Sequence, residues 1–157
     1  MAEFEAAFGP DYLRRIPERY WIHLGGRALD TFSPALPSHD LDIVLDRSPA
    51  NCAGALQDTS HFHKDLYGNY VPGLCAGLAV AMEDLGRPLP VGKYPLVDVL
   101  TASGIRGFYE MACEDYAYSP RRGTFLNHCD LCTEIRGFLH QNDAGHFAEL
   151  APDGFYT

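Results

Sequence analysis

The pair Cys129-Asp130-Leu131-Cys132 constrains this chain more than any other feature. Cysteines three apart at the start of a helix put both sulfurs on one side, near free backbone N–H groups that stabilise thiolates. Two thiolates make half of a tetrahedral site, for zinc or for an iron–sulfur cluster. The other half has to come from elsewhere in the fold. Cys52, in Asn51-Cys52-Ala53-Gly54, and Cys75, in Pro72-Gly73-Leu74-Cys75, are the natural candidates, because each sits in turn-like sequence beside glycine. A hairpin between them would return the chain to the same place, so that both sulfurs converge. Soft thiolate donors suit zinc and iron–sulfur clusters alike, and spacing does not choose between them. Cys113 differs: it lies in an apolar helical stretch without a glycine turn and reads as a core residue.

The remaining composition bounds the setting. A chain of 157 residues, 46% apolar and 21% charged, is the size and make-up of one globular domain, 1–157. A net charge of −9 argues against a general nucleic-acid or anionic-membrane binder, which needs a basic patch. The basic pairs Arg14-Arg15 and Arg121-Arg122 read as solvated. No apolar run approaches the roughly 18–20 residues of a membrane span, and the acidic opening MAEFEAAFG is not a secretory signal. An odd cysteine count with a Cys-x-x-Cys pair points to metal or redox chemistry in a cytoplasmic protein rather than to disulfides.

Along the chain, residues 1–18 read as a helical lead-in. RYWIHL (19–24) is β-branched and aromatic and predicts a short strand. Residues 30–51 read as loop around DLDIVL, whose alternating Leu41, Ile43 and Leu45 give a weak strand signal. HFHKDLYGNYVPGLC (61–75) predicts a hairpin turning at Gly68-Asn69, and Gly73 lets the backbone crowd a neighbour near Cys75. Two helices are expected, one reaching Gly104 and one over 105–118, then a third over 129–140. The aromatic tail FAELAPDGFYT is expected to dock onto the body. The fold class is α+β, a small antiparallel sheet or hairpin with several helices, the metal site lying between hairpin loops and the C-terminal helix.

Histidines are the rival ligands. His61 and His63 are two apart and share a face on a strand. Such a pair can hold zinc, and His63 can replace a cysteine at a cluster. His128, next to Cys129, reads as a solvated neighbour. Asp130 and Glu134 are four apart on the same helix and read as a solvated face with Arg136 close by.

In their order, these pieces resemble the SPASM/Twitch-type C-terminal domain of radical SAM enzymes. Cys52-Ala-Gly, Gly68, Cys75, a gap and then Cys129-x-x-Cys132 carry the resemblance, and HKDLYGNYVPGLC looks like that family's cluster-binding hairpin. Gly26-Arg27-Ala28 is similar to a segment often found before such domains. PLVDVLTASGIRGF is similar to the segment after the second ligand, and CDLCTEIRGFL with FAELAPDGFY to the C-terminal end. The resemblance spans residues 20–157. It implies an auxiliary 4Fe-4S cluster on Cys52, Cys75, Cys129 and Cys132, serving electron transfer or substrate positioning beside a radical SAM barrel in cis or in trans. The substrate would be a peptide or small molecule. The stretch from Gly68 to Cys75 is longer than the family's commonest pattern, and the downstream cysteines suffice for one cluster, as in the Twitch version. The Cys-x-x-x-Cys-x-x-Cys loop that leaves one iron open for S-adenosylmethionine is absent, so this polypeptide is not expected to cleave that cofactor alone. Missing barrel contacts predict exposed apolar surface, with the loop at 30–50 as the expected contact region.

Three other functions compete. The same thiolates could hold structural zinc in an interaction module. Cys129 and Cys132 could form a thiol oxidoreductase pair, although no βαβ start precedes them. His61, His63 and Asp65 could form a zinc hydrolase centre, although the His-Glu-x-x-His arrangement is missing.

Overall fold

A computed structural model describes residues 2–142 and 147–157. The architecture is α+β, with helices dominating two small antiparallel sheets. The lead-in forms α1 (Ala2–Phe8) and α2 (Tyr12–Arg19), which pack on each other through Phe4 and Tyr12, rings 6.3 Å apart. α3 (Arg27–Phe32) follows an irregular segment. β1 (His39–Asp40) pairs with β5 (Thr124–Phe125), and α4 (Leu41–Arg47) and α5 (Ala53–Leu56) lead to the hairpin. The second sheet is β2 (His63–Lys64), β3 (Asn69–Val71) and β4 (Val80–Ala81), paired in that order. The two long helices are α6 (Pro95–Tyr116) and α7 (His128–Asn142).

Two expected strands are not strands. Residues 20–25 are irregular, with Trp21 79% exposed, because they run over the surface with no neighbouring strand to pair with. Of DLDIVL (40–45), Asp40 ends β1 and residues 41–45 lie in α4. Its Val44 and Leu45 are buried while Ile43 faces outward, so the helical period, not the alternating one, fits the core. The hairpin forms as expected: Asp65 Oδ1 accepts the Tyr67 and Asn69 N–H groups (2.9 and 2.8 Å), and Gly68 takes φ +93° between them.

The helices over 95–118 are two segments of one kinked rod, since Gly104 (φ +61°, ψ −155°) breaks the helical geometry inside α6. A Cβ there would stand 3.0 Å from Asn51 Cα and 3.1 Å from the Pro49 carbonyl oxygen, so glycine lets the 49–52 loop lie on the helix. The core joins α6 to α7 through Leu96, Ile105, Phe108, Leu131, Ile135 and Leu139, all under 2% exposed. Buried Glu149 accepts the Leu96 N–H (2.6 Å) at the start of α6, tying the tail to that helix end. Cys113 packs half-buried against this core, in line with its core reading.

α7 carries three stripes set by the 3.6-residue period. Leu131, Ile135 and Leu139 face the core. Asp130 and Glu134 form a second stripe. This face is buried rather than solvated: Asp130 is 1% exposed and pairs with Arg122. Glu134 accepts from Tyr118 Oη (2.8 Å), the Arg121 N–H (3.0 Å) and Arg122 Nε (2.9 Å). Arg122, not Arg136, is therefore their partner, and its guanidinium is pinned rather than free. Cys129, Cys132, Thr133 and Arg136 make the third stripe.

Candidate functional site

All four predicted cysteine ligands line one cavity of about 400 Å³. Three pieces of chain bring them there. Cys52 stands at the start of α5, held by its N–H to the Leu100 carbonyl (2.8 Å) and by its own carbonyl accepting the Leu56 N–H (2.9 Å). Cys75 lies in the turn after the hairpin, its carbonyl accepting the Leu78 N–H (2.9 Å). Gly73 (φ +57°) makes that turn fit. A Cβ there would stand 2.4 Å from the Ala55 carbonyl oxygen, so only glycine lets the Cys75 turn rest on the helix that begins at Cys52. Cys129 and Cys132 come from the first turn of α7, where Asn127 Oδ1 accepts the Cys129 and Asp130 N–H groups (2.9 and 3.1 Å).

Burial dominates the electrostatics. It pushes the Cys52 thiol up to about 11, with the neighbouring Cys132 adding to the rise. Cys75 rises to about 11 for the same two reasons, against a pull downward from Arg136. Cys129 rises to about 12 through burial and then through Cys132, Cys75 and Cys52. Cys132 thus adds to the rise at each of the other three, and without a cation these three thiols keep their protons at neutral pH. A soft cation would reverse that by neutralising the converging thiolates. The donor set therefore fits a thiolate-held metal group. Among the described residues, no three His, Cys, Asp or Glu side chains stand close enough to hold a single metal ion.

Histidines flank the thiols. His61 and His63 stack with ring centroids 6.0 Å apart and an interplanar angle of 14°, so they do share one face, and both line the cavity. His63 Nε2 is buried without a hydrogen-bond partner. His128 is half-buried and lines the cavity, rather than being a solvated neighbour. Burial, then nearby His23, holds its pKa below the usual histidine value. Asp65 does not line this cavity: its Oδ2 accepts from Asn69 Nδ2 (2.9 Å), so this carboxylate closes the hairpin turn. Among the described residues His61, His63 and Asp65 do not gather into a metal-holding group.

Trp21, His23 and Arg136 are among the cavity residues that had no functional reading from sequence. Trp21 and His23 come from the segment misjudged as a strand, with rings 6.1 Å apart at the mouth. Arg136 lies one helical turn beyond Cys132, and that i+4 spacing was the signal available for it. The tail docks as expected: Tyr156 Oη accepts from Arg136 Nη1 (3.2 Å) and donates to the Gly77 carbonyl. Exposed apolar side chains do not concentrate at 30–50. Phe4, Phe8, Tyr20 and Trp21 lie in and after the lead-in, and Phe62, Leu66 and Tyr67 lie on the hairpin.

Comparison with protein-family models, with curated proteins and with solved structures gives no match for this chain. Among the described residues, no helix is long and apolar enough to cross a membrane.

Proposed function

We propose that this chain is an auxiliary iron–sulfur module in which Cys52, Cys75, Cys129 and Cys132 hold one 4Fe-4S cluster beside a radical SAM barrel in cis or in trans. Its service there is electron transfer or the positioning of a peptide or small-molecule substrate. The observation that carries the reading is the convergence of four sulfurs, from three separate stretches of the chain, on one largely apolar cavity. The order of the four cysteines along the chain, which resembles that of an auxiliary-cluster domain, favours a cluster over zinc. When bound, such a cluster would supply one-electron transfer. The chain's own residues would hold it, shield it with Leu56, Leu100 and Ile105, and set its electrostatic surroundings.

The test is anaerobic purification, reconstitution with iron and sulfide, and a visible spectrum with iron, sulfide and zinc analysis. A brown protein with a broad band near roughly 400 nm and about four irons per chain is the expected result. Cys75→Ala and Cys132→Ala should each abolish the band. A colourless protein that takes no iron and retains one zinc would replace the reading with a structural zinc module.

A further inference from the structure

Arg136 is 4% exposed and lines the cysteine cavity. Its terminal nitrogens donate to the Ala76 carbonyl (2.8 Å), Tyr156 Oη (3.2 Å) and Thr133 Oγ1 (3.3 Å), all of them neutral. Its Nε–H is buried and has no partner. Among the described residues Arg136 forms no ion pair, and the two carboxylates nearest on its own helix, Asp130 and Glu134, are taken by Arg122 in another stripe. A guanidinium keeps its proton in proteins, and a buried charge without a counter-charge is strongly unfavourable. Among the described residues, the ionisable groups whose charge reaches it are Tyr156, then Cys132 and Cys75. Tyr156 donates its hydroxyl proton to the Gly77 carbonyl, which leaves the sulfurs lining the cavity as the groups able to carry a balancing negative charge.

We infer that Arg136 is the built-in counter-charge for the group held by the four cysteines, and that the group retained there is net anionic, with one of its sulfurs accepting the free Arg136 Nε–H. This rests on the cluster reading above. A 4Fe-4S cluster on four thiolates carries a charge of −2 when oxidised and −3 after gaining one electron. A fixed cation beside it favours the reduced form. Arg136 therefore raises the reduction potential and slows loss of the metal group.

The experiment compares Arg136→Met and Arg136→Gln, which remove the charge, with Arg136→Lys, which keeps it. Each reconstituted protein is titrated with dithionite, which supplies the electron, and the visible band is followed. Release of iron to a chelator is timed, and circular dichroism checks the fold. The neutral variants should show a more negative midpoint potential and release iron about tenfold faster, with Arg136→Lys close to the parent. Tyr156→Phe, which breaks the tail contact but keeps the charge, should leave the potential unchanged. Parent-like potential and release in a folded Arg136→Met or Arg136→Gln protein would overturn the inference and leave the cluster reading standing. The same would follow if Arg136→Lys and Tyr156→Phe shifted the potential as far as the neutral variants do. That pattern would make Arg136 a structural staple; if both neutral variants fail to fold, a shifted potential in folded Arg136→Lys or Tyr156→Phe would overturn the inference in the same way. A parent chain that binds zinc instead of iron would sink the cluster reading alone. The counter-charge would then be read from zinc release, again about tenfold faster in Arg136→Met. Uptake of neither metal would overturn both.

Discussion

Two arginines serve α7, Arg122 from outside the helix and Arg136 on it, and they are treated in contrasting ways. Arg122 pairs with Asp130 and with Glu134 while its side chain stays 44% exposed. Arg136 is almost fully buried, meets neutral oxygens and leaves one N–H unused. A paired, half-solvated arginine closes a polar network and needs no further partner. An unpaired buried one is costly unless something anionic arrives. The difference separates a structural face of α7 from a face prepared for a ligand, and it falls on stripes of one helix only a few residues wide. Variants that disturb one face and spare the other test that separation.

The largest effect is expected on the ligand face. Gly73→Ala places a Cβ 2.4 Å from the Ala55 carbonyl oxygen at a positive φ. Overpacking together with left-handed strain should destabilise the fold by about 2–4 kcal/mol in urea unfolding. Iron uptake should fall with it, because the Cys75 turn can no longer rest on the start of α5. Gly54→Ala, which meets open space in α5, is the matched control and should lose neither stability nor iron uptake.

Asp130→Asn attacks the structural face. It weakens the pair with Arg122 while keeping an acceptor for the Leu126 N–H. Arg122 is nearly half exposed, so the expected loss is only about 1–2 kcal/mol. The visible band of the reconstituted protein should be unchanged. A lost band would mean that the two faces are not independent.

The pH response of Glu134 is smaller still. Burial pushes its carboxyl up, but Arg122, the Arg121 N–H and Tyr118 outweigh this and hold its pKa below the usual value. Its contribution is therefore present above about pH 4.3, the ordinary glutamate value. It is lost as pH falls through the lower folded value. Urea midpoints measured from pH 7 down to pH 3 should drop more steeply in the parent than in Glu134→Gln. The difference should be about 0.5–1 kcal/mol, because solvent screens the exposed Arg122.

The hairpin, the tail docking and the long helices were legible because each follows from local chemistry. Asp65 and Gly68 dictate the turn, and the apolar period of α7 dictates its core stripe. The four cysteines were legible as a set because glycine turns mark where the backbone approaches closely, and Gly73 does what its sequence context indicated. DLDIVL was misjudged because Leu41, Ile43 and Leu45 alternate while Leu41 and Leu45 also stand one helical turn apart, and only the packing of Val44 and Leu45 decides. The pairing of Asp130 and Glu134 was hidden because Arg122 reaches them from outside the helix. A helical wheel shows a carboxylate stripe but not what covers it. His23 and Trp21 were missed because an irregular segment has no period to read. Its place at the cavity mouth is set by tertiary packing alone.

Gly137→Ala is the gentlest probe of whether the two faces communicate. Gly137 lies within α7, three residues beyond Glu134 and next to Arg136, and an added Cβ meets nothing within 4 Å. Alanine in a helix interior loses less backbone entropy than glycine, so the variant should gain roughly 0.5 kcal/mol in urea unfolding. It adds no charge, fills no cavity and touches neither the thiols nor the carboxylates. If each face is held by its own contacts, the gain should appear with the iron-release rate and the midpoint potential unchanged. If a stiffer helix slows iron release, the cysteine stripe is limited by fraying of α7 itself. The contrast between the faces would then rest on the rigidity of the helix as well as on how each arginine is paired.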